Sequence, residues 1–371
     1  MRTPLAEQRR LVEALRRDPG HLDDGPAELI ETHFSWVILT RRYAFKCKKA
    51  LRHAWLPHDT PADRRRACRT ELHLNRRLAP TVYLGVVPLQ WDKAGGVARA
   101  TAATACEYAV QMHRLADADC LEWQIDNARA SRADIVALAE RLSRFYAGLP
   151  PERPAPAGHW HNLMQSMREW SRELRARADA GPAAAAAHLH EQLAELGGEL
   201  RATIEERVRL GRIREAHGDL RPAHVYFLPA PVVIDCLEFS RPLRLLDPVD
   251  ELAFLAMECR RQGADWVGRC LAHTYQAHSG DQPPRALWLF HAGRRTLLWA
   301  LLALRHLDRA EAGDGAIWQH RAADYLALGQ RILDELEVSA QAAESAWIPR
   351  AIMGATATRD RRSASGRDAG S

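Results

Sequence analysis

Short runs of apolar and polar residues alternate through the first third of the chain. Five of these runs are rich in β-branched and aromatic residues and are separated by polar residues, a pattern that predicts strands: ELIETH (28–33), SWVIL (35–39), YAFKCK (43–48), 82–89 and 107–112. The link Thr40-Arg41-Arg42 suits a tight turn between two of them. The N-terminal third is therefore predicted to be rich in β-structure.

Apolar residues recur at helical spacing before these strands, between them and through the rest of the chain. Helices are predicted at 5–17, 63–78, 131–149, 159–180, 183–209 and from 250 to about 346, with a second small β region in HVYFL and PVVIDCLEF. Ser131 is the predicted N-cap of its helix. The proline-rich segment 150–158 is predicted to be a linker. The apolar run 296–304 is far shorter than the ~20 residues of a membrane span and predicts a buried helix.

Strands followed by helices around one small hairpin predict an α+β fold with two lobes, a small β-rich one and a large helical one. We expect an N-terminal helix at 1–25, the β lobe at 26–112, the helical lobe at 113–350 and a polar, disordered tail at 351–371. A cleft between two lobes is a natural place for a ligand.

Composition and charge narrow the class of protein. The 371 residues are 47% hydrophobic and 27% charged, as in ordinary globular proteins, and the formal net charge is +5. So small an excess does not indicate nucleic-acid binding, although it suits an anionic ligand. The charged N-terminus and the short apolar runs predict neither a signal peptide nor a membrane span. Seven scattered cysteines without metal-ligand spacing indicate reduced thiols in a cytoplasmic protein.

Two aspartates carry the strongest chemical signal. Asp219 stands in His-Gly-Asp-Leu, just before a predicted strand pair, and Asp235 ends the apolar strand Val-Val-Ile-Asp sixteen residues later. Phosphoryl transfer needs such a pair, because one carboxylate orients the attacking hydroxyl and accepts its proton while the other holds the metal on the phosphates. Either aspartate alone would more simply cap a turn or end a strand. The two together, behind a β lobe with a strand lysine, favour a functional site.

The motifs HGDL, IDCLEF and LLDPVDELAFL resemble the aminoglycoside phosphotransferase-like family, which has a protein kinase-like fold. Upstream, ELIETHFSWVILTRRYAFKCKKAL and ELHLNRRLAPTVYLGVVPL resemble the N-terminal half of a bacterial branch of it, so that the resemblance is close over about 26–112 and 215–257. Larger members of that branch carry a second, P-loop kinase domain. Because the sequence contains no GxxxxGK[ST], the resemblance implies a standalone version without that domain.

The resemblance implies roles for four residues by their positions. Asp219 matches the catalytic aspartate and Asp235 the metal-binding aspartate. Lys46 matches the strand lysine that contacts the α- and β-phosphates of ATP, and Glu71 matches the helix acid that pairs with this lysine. Because side chains alternate along a strand, Lys48 shares a face with Lys46, and the sequence leaves open which of the two contacts the phosphates.

The strand 107–112 resembles the strand that leads into the hinge between the lobes. The resemblance implies that adenine bonds to backbone groups near Gln111 and His113. It also implies that the acids Asp247 and Glu251 are structural and brace the catalytic loop.

Three residues beside the motifs have more than one interpretation. His217 is expected to pack and bond the catalytic loop rather than to transfer a proton. Glu238 is either a second acid near the metals or a surface glutamate. Arg221 either neutralises a phosphate, pairs with Asp219, or is an ordinary surface arginine.

One position departs from the family's pattern. The family's loop reads HGDxxxxN, whereas the residue five places after Asp219 is His224. An asparagine carbonyl is a hard ligand that suits Mg²⁺, and a neutral imidazole is softer and better matched to Mn²⁺ or other transition metals. Three interpretations stay open: His224 binds a metal with altered preference, it donates a hydrogen bond or, if charged, binds phosphate directly, or the chain has lost turnover and keeps the fold.

The sequence therefore predicts a phosphotransferase that uses ATP and Mg²⁺ or Mn²⁺ and acts on a hydroxyl or amino group of a small molecule. The alternative is a degenerate kinase-fold protein that binds nucleotide or a partner without turnover. Protein phosphorylation is disfavoured, because helix-like sequence resumes by Asp250 and leaves little room for a long activation loop. Neither the substrate nor the oligomeric state follows from the sequence.

Overall fold

A computed structural model describes residues 4–19, 22–23, 27–53, 56–308 and 315–347. Its strands are β1 (Glu28–Glu31), β2 (Ser35–Leu39), β3 (Tyr43–Lys48), β4 (Arg52–His53), β5 (Leu56–Pro57), β6 (Tyr83–Trp91), β7 (Val97–Arg99), β8 (Glu107–His113), β9 (Arg214–Glu215), β10 (Val225–Phe227), β11 (Pro231–Val233) and β12 (Leu245–Leu246). Six of them form an antiparallel sheet in the order β1-β2-β3-β8-β6-β7, and the pairs β4-β5, β9-β12 and β10-β11 are separate.

The predicted strands are confirmed as β1, β2, β3, β6 and β8, and the predicted second β region as β10 and β11. The prediction that Asp235 ends its strand is wrong, because β11 ends at Val233 and Asp235 has the left-handed φ of +61°. Strands β4, β5, β7, β9 and β12 were not predicted. Each has two or three residues, which is too short to display a period of two. Strand β8 ends at His113, and the lobe boundary at 112/113 stays a prediction.

Side chains of β3 alternate between two helices that cover opposite faces of the sheet. Phe45 and Cys47 belong to the apolar cluster under α1 (Leu5–Arg17), and Ala44 belongs to the cluster under α2 (Pro61–Asn75). Lys46 and Lys48 lie on the α2 side, where both reach the same glutamate. The alternation expected from the sequence is therefore confirmed.

Helix α1 shares a core with the sheet. Leu15 is completely buried there, and burial of such a side chain contributes about 1.5–3 kcal/mol. The buried side chain of Gln8 donates to the Lys48 carbonyl at 2.6 Å and to Glu107 Oε2 at 2.7 Å, and its Oε1 accepts from the Ala50 amide at 2.7 Å. These hydrogen bonds fix α1 to the end of β3 and the start of β8, next to Lys48.

Helix α2 begins two residues earlier than predicted. The Thr60 hydroxyl accepts from the Asp63 amide at 3.1 Å, and the Asp63 carboxylate accepts from the Thr60 amide at 3.3 Å, which is a capping box. Pro61 suits the first helical position, where no amide donor is needed. The helix places Glu71 on its buried face, against β3.

The rest of the chain is mainly helical and packs around one large apolar core. Its helices are α3 (Leu121–Asp126), α4 (Arg132–Gly148), α5 (Pro156–Arg177), α6 (Ala180–Glu199), α7 (Arg201–Arg209), α8 (Pro248–Arg261), α9 (Asp265–Ser279), α10 (Arg285–His306) and α11 (Gly315–Trp347). Helix α10 contains the apolar run 296–304. The prediction that this run is a buried helix is confirmed, since Leu297 and Leu301 are fully buried.

The prediction of one helix over 183–209 is wrong. Two helices, α6 and α7, meet there at Leu200. The pair Gly197-Gly198 immediately precedes the break, and each glycine makes a helix interior about 1 kcal/mol less favourable than alanine does. Gly197 also has a packing role, because a Cβ there would lie 2.9 Å from Phe290 Cε2.

Three other predictions concern the ends of helices. The Ser131 hydroxyl accepts from the Asp134 amide at 3.1 Å, so the predicted N-cap is confirmed. The linker 150–158 is shorter than predicted, because Pro156 starts α5 with a backbone already preset for a first helical turn. The predicted tail at 351–371 lies outside the described residues.

None of the helices in the described ranges has the length and apolar composition needed to cross a bilayer. All seven cysteines belong to these ranges, and no disulfide joins them. Burial raises the pKa of the Cys68 thiol to about 12, against the opposing charge of Lys48. Such a thiol stays protonated at neutral pH and is a poor nucleophile.

Candidate active site

Two lysines of β3 and one glutamate of α2 form a buried cluster of charges. Glu71 Oε1 lies 3.0 Å from Lys46 Nζ, and Glu71 Oε2 lies 2.6 Å from Lys48 Nζ. The Glu71 side chain is completely buried, that of Lys48 is 1% exposed and that of Lys46 is 13% exposed. Glu71 therefore holds both ammonium groups, and Lys46 is the one with surface left for a ligand.

Both lysines also bond acids that follow β11. Lys46 Nζ donates to Asp235, and Lys48 Nζ donates to Glu238. Glu238 is 9% exposed, so it is a buried partner of Lys48 and not a surface glutamate. These two pairs join the sheet to the helical part of the chain.

Asp235 has a backbone conformation that is uncommon for a residue with a side chain. Its φ is +61°, in the left-handed region, where aspartate is tolerated better than most residues. Its amide donates to the Tyr83 hydroxyl at 3.1 Å, and its carboxylate accepts from Lys46. Residues held in this way are typical of functional sites, because the surrounding contacts must offset the strain.

The surroundings of Asp235 and Lys46 fix their charges. Burial alone would lower the pKa of Lys46, but Asp235 and Glu71 outweigh it and raise this pKa well above its usual value. Burial alone would raise the pKa of Asp235, but Lys46 and His224 hold it well below its usual range. At neutral pH the pair is therefore an ammonium and a carboxylate.

The loop that contains Asp219 is held by Glu251 of α8. Glu251 Oε1 accepts from the amides of His217 at 2.9 Å and Gly218 at 2.5 Å, and its Oε2 accepts from the Tyr146 hydroxyl at 2.7 Å. Gly218 has φ of +89°, which favours glycine at this position. Glu251 thus anchors the two residues that precede Asp219.

Asp247 supports the catalytic loop through α8, whereas the resemblance implied that it braces the loop itself. It caps α8 by accepting from the Val249 amide at 2.9 Å, and it forms a bidentate ion pair with Arg207 of α7. Arg207 also bonds Asp281. Asp247 therefore positions α8, and α8 in turn supplies Glu251.

His217 connects the loop to the strand before Asp235. Its Nε2–H donates to the Ile234 carbonyl at 2.9 Å, and its Nδ1 accepts from the Asp219 amide at 3.3 Å, which together assign a neutral ring. Burial lowers the pKa of His217 to about 3. A buried neutral imidazole with both nitrogens bonded has a structural role, as the sequence led us to expect.

His224 lies between the two aspartates. It ends the 3₁₀ turn Pro222–His224, and its Nδ1–H donates to the Asp219 carbonyl at 2.9 Å. Its Nδ1 is 3.5 Å from Asp219 Oδ2, and its Nε2 is 3.7 Å from Asp235 Oδ2. The imidazole therefore connects the two carboxylates that the sequence paired.

Arg221 contacts the same imidazole. Its Nε and Nη2 donate to His224 Nε2 at 3.3 and 3.2 Å, and its Nε is 3.6 Å from Asp219 Oδ2. Its guanidinium also lies 5.3 Å from the centroid of the Trp299 ring. Arg221 is thus part of the site and not an ordinary surface arginine.

The donor atoms near Asp235 suit a cation shared with a ligand better than a cation held by the protein alone. Among the described residues, no group of three or more His, Cys, Asp or Glu side chains is arranged to hold a metal ion. Asp235 Oδ2 and His224 Nε2 are two such donors. A divalent cation that takes its remaining ligands from phosphates and water, as Mg²⁺ usually does, fits this set.

Asn75 is a residue of the site that the sequence analysis did not identify. Its Oδ1 accepts from the Cys236 amide at 2.9 Å, next to Asp235, and its Nδ2 donates to the Glu71 carbonyl at 2.9 Å. It lies four residues after Glu71, so both share one face of α2. The four-residue spacing from Glu71 is the feature of the sequence that could have identified Asn75.

Gln111 and His113 have contacts within the sheet instead of with this cluster. Gln111 Oε1 accepts from Arg99 at 3.1 Å, and its Cα lies opposite Phe45 and Gly85. The His113 amide donates to the Val82 carbonyl at 2.9 Å. That amide is used by the fold, so a hydrogen bond to adenine would have to come from another backbone group of the segment.

Comparison with known sequences gives uncharacterized relatives. No family model matches the chain. An uncharacterized protein of Mycobacterium tuberculosis strain H37Rv and one of Mycobacterium bovis are each 30% identical over 288 residues, which are 75% of this chain and 55% of those proteins. The chain thus spans about half the length of the curated relatives that it matches.

Comparison with solved structures identifies the fold. A choline kinase from Cryptosporidium parvum matches with a TM-score of 0.52 and 11% identity, over 92% of this chain and 99% of that one. A glucosamine kinase in complex with glucosamine, ADP and inorganic phosphate matches with a TM-score of 0.50 and 14% identity, over 84% of this chain and 81% of that one. The fold expected from the resemblance to the aminoglycoside phosphotransferase-like family is confirmed: the chain has a two-lobed, protein kinase-like α+β fold.

Proposed function

We propose that the chain is a phosphotransferase that moves the γ-phosphoryl group of ATP to a hydroxyl or amino group of a small molecule. One observation carries the proposal. Asp219 and Asp235 converge on His224, while Asp235 bonds Lys46 from the opposite lobe. Two carboxylates and a cation brought together in this way are the groups that phosphoryl transfer requires.

Asp219 is the proposed catalytic residue. The acceptor oxygen or nitrogen attacks the γ-phosphorus, and the bond from that phosphorus to the β–γ bridging oxygen breaks, so that ADP leaves. The proton of the acceptor passes to the Asp219 carboxylate. Asp219 is 22% exposed, and Glu251 anchors the two residues before it, which supports an accessible base on a rigid loop.

Lys46 is the lysine that we assign to the α- and β-phosphates, with Glu71 as its anchor. Its exposure is 13%, against 1% for Lys48. Lys48 is enclosed by Glu71 and Glu238 and has a structural role in this assignment.

Asp235 and His224 are the residues that would hold a divalent cation, Mg²⁺ or Mn²⁺. When bound, such a cation neutralises charge on the phosphates. Because imidazole is softer than an amide carbonyl, we expect the His224→Asn variant to raise the ratio of Mg²⁺-supported to Mn²⁺-supported activity. An unchanged ratio of the two activities would show that His224 does not bind the cation.

The length of the segment after Asp235 supports a small acceptor. Helix α8 starts at Pro248, so residues 236–247 are all that separates Asp235 from the next α-helix. The unpaired cysteines and the use of ATP are consistent with a reaction in the cytoplasm. The assignment of adenine to backbone groups at the end of β8, near Gln111 and His113, belongs to the same proposal.

The test is transfer of labelled γ-phosphate by the purified full chain to a panel of amino alcohols, sugars, amino sugars and aminoglycosides, with Mg²⁺ or Mn²⁺. We expect a labelled product whose formation the Asp219→Asn variant lowers by at least about 10³-fold, the scale of a lost general base plus lost positioning. Equal rates for wild type and variant would refute the proposal.

The contacts of His224 favour one second candidate, nucleotide binding without turnover. The Nε2 atom that would face a cation accepts from Arg221. If this contact persists with nucleotide bound, one metal ligand is lost. Thermal unfolding with ATP and either metal separates the two candidates, because binding raises the Tm whether or not transfer occurs. A raised Tm without transfer to any acceptor would favour this candidate.

A further inference from the structure

A large groove lies beside α2, and Lys46, Lys48 and Glu71 are not among the residues that line it. Its volume is about 1350 Å³, and its walls come from α1, α2, the strands β6 and β8 and the segment with Glu215 and Arg244. Pockets for small molecules usually measure about 300–1,000 Å³. The size suits an extended chain segment better than a metabolite.

The groove carries an excess of positive charge. Five arginines and three glutamates line it. Two of the glutamates are already paired inside the fold, Glu107 with Arg64 and Glu215 with Arg244. Glu215 therefore neutralises one of the five arginines, and Arg66 pairs with Asp63, so the excess positive charge of the groove comes from its other arginines.

Two arginines of α2 supply positive charge to this surface. Arg65, Arg69 and His73 recur every four residues and so lie on one face of the helix. Within the described part of the chain, neither Arg65 nor Arg69 forms an ion pair with a carboxylate. The guanidinium of Arg65 instead lies 5.5 Å from the centroid of the Tyr108 ring.

Apolar side chains accompany these arginines. Leu11 and Leu74 contribute to the walls, and Trp91 lies at the groove with 37% of its surface exposed. Exposed tryptophan beside unpaired arginine is the composition of interface hot spots. An occupant should therefore offer both carboxylates and at least one apolar side chain.

We propose that this groove docks an acidic, apolar-containing segment of a partner protein. The chain's own C-terminal residues 348–371 do not suit it, because they contain five arginines and two aspartates and would be repelled. Nucleic acid suits it less well, because the apolar walls and the glutamates interrupt any continuous path for phosphates.

The docked segment would touch the helix that organises the candidate active site. The buried face of α2 carries Glu71 and Asn75. Near the end of the helix, Arg77 donates to the carbonyls of Glu215 and Ala216, immediately before the loop of Asp219. The docking proposal does not depend on the proposed function, and it can be tested on the Asp219→Asn variant.

The experiment measures the anisotropy of a fluorescein-labelled peptide of Glu-Glu-Leu repeats titrated with the full chain. We expect saturable binding that weakens with salt. The Arg69→Glu variant should bind at least about tenfold more weakly, because a lost attraction becomes a repulsion. The Arg172→Glu variant, with the same charge change on an exposed position of α5, should bind like wild type. Circular dichroism checks that both variants are folded.

Several outcomes would overturn the proposal. These are absence of saturable binding, equal binding by Arg69→Glu and wild type, equal binding of a Lys-Lys-Leu peptide, and unchanged affinity after Trp91→Ala. Displacement of the peptide by inorganic triphosphate or by an RNA oligonucleotide at lower concentration than by unlabelled peptide would also overturn it. Those results would make the groove a small-anion or nucleic-acid site.

Discussion

The ammonium group of Lys46 bonds the carboxylate of Asp235, which lies 189 positions later in the chain. Lys48 makes the parallel contact with Glu238, 190 positions later. Because Glu71 pairs with both lysines, it keeps a partner when either lysine is removed. Removal of Lys46 therefore leaves Asp235 without this partner, and removal of Lys48 leaves Glu238 without this partner. The two effects on the free energy of unfolding can be measured.

We expect Lys48→Met to destabilise the protein more than Lys46→Met. Without Lys48, the 9% exposed Glu238 is left buried and unpaired, a change that typically costs about 3–5 kcal/mol. Without Lys46, Asp235 is 42% exposed and can be solvated, so the loss should be nearer about 1 kcal/mol. Urea unfolding gives both values, and nucleotide titration should show the larger loss of affinity for Lys46→Met. The reverse order of stabilities would contradict this division of roles.

Asn75→Ala should destabilise the protein by about 1–3 kcal/mol, because it leaves the buried Cys236 amide without an acceptor. Hydrogen exchange at that amide should accelerate more than at amides remote from the site. Asn127→Ala is the matched control, since Asn127 is exposed and bonds the Trp123 carbonyl within its own turn. If the two variants lose equal stability, the link from α2 to the segment of Asp235 is energetically unimportant.

Gly218→Ala should disturb the loop of Asp219 more than Gly95→Ala disturbs its turn. Both glycines have positive φ, +89° and +80°, so both replacements carry backbone strain of about 1 kcal/mol or more. A Cβ at Gly218 would also lie 3.0 Å from Leu237 Cδ1 and 3.1 Å from Arg244 Cγ, whereas Gly95 has no atom within 4 Å. Chemical unfolding compares the two. Similar losses would mean that the loop has room to adjust.

Stability should fall as the pH falls below about 6.5, and His291 should contribute to the fall. Burial lowers the pKa of His291 to about 4, against the attraction of Asp250. Between its unfolded pKa of 6.5 and about 4, the unfolded chain binds a proton that the folded chain does not. This group then removes about 1.4 kcal/mol per pH unit.

The His291→Gln variant should therefore lose less stability than wild type between pH 6.5 and pH 4.5, as measured by urea unfolding. His58, whose pKa burial also lowers to about 4, is present in both proteins and gives the common background. Parallel pH profiles for the two proteins would show that His291 is charged in the folded state.

Several site residues could be predicted because their signal is local in the sequence. Asp219 and Asp235 flank a short strand pair, so sixteen positions of chain bring them back together. Glu71 was placed on a helix and Lys46 on a strand by patterns that need a few residues only. The assignment of Lys46 over Lys48 was not available in this way, because strand alternation gives both lysines the same face.

The sequence by itself determined seven of the twelve described strands, most of the helices and the family resemblance, because periods of 2 and 3.6 residues and short motifs are properties of neighbouring residues. The tertiary structure alone decided that Glu238 is buried, that Asn75 supports Cys236, that Arg221 and His224 meet between two aspartates and that α1 is bonded to β3. Each of these depends on which surfaces pack together across forty or more positions or on the path of a single loop. No local pattern encodes that choice, since it follows from the burial and pairing of the whole fold.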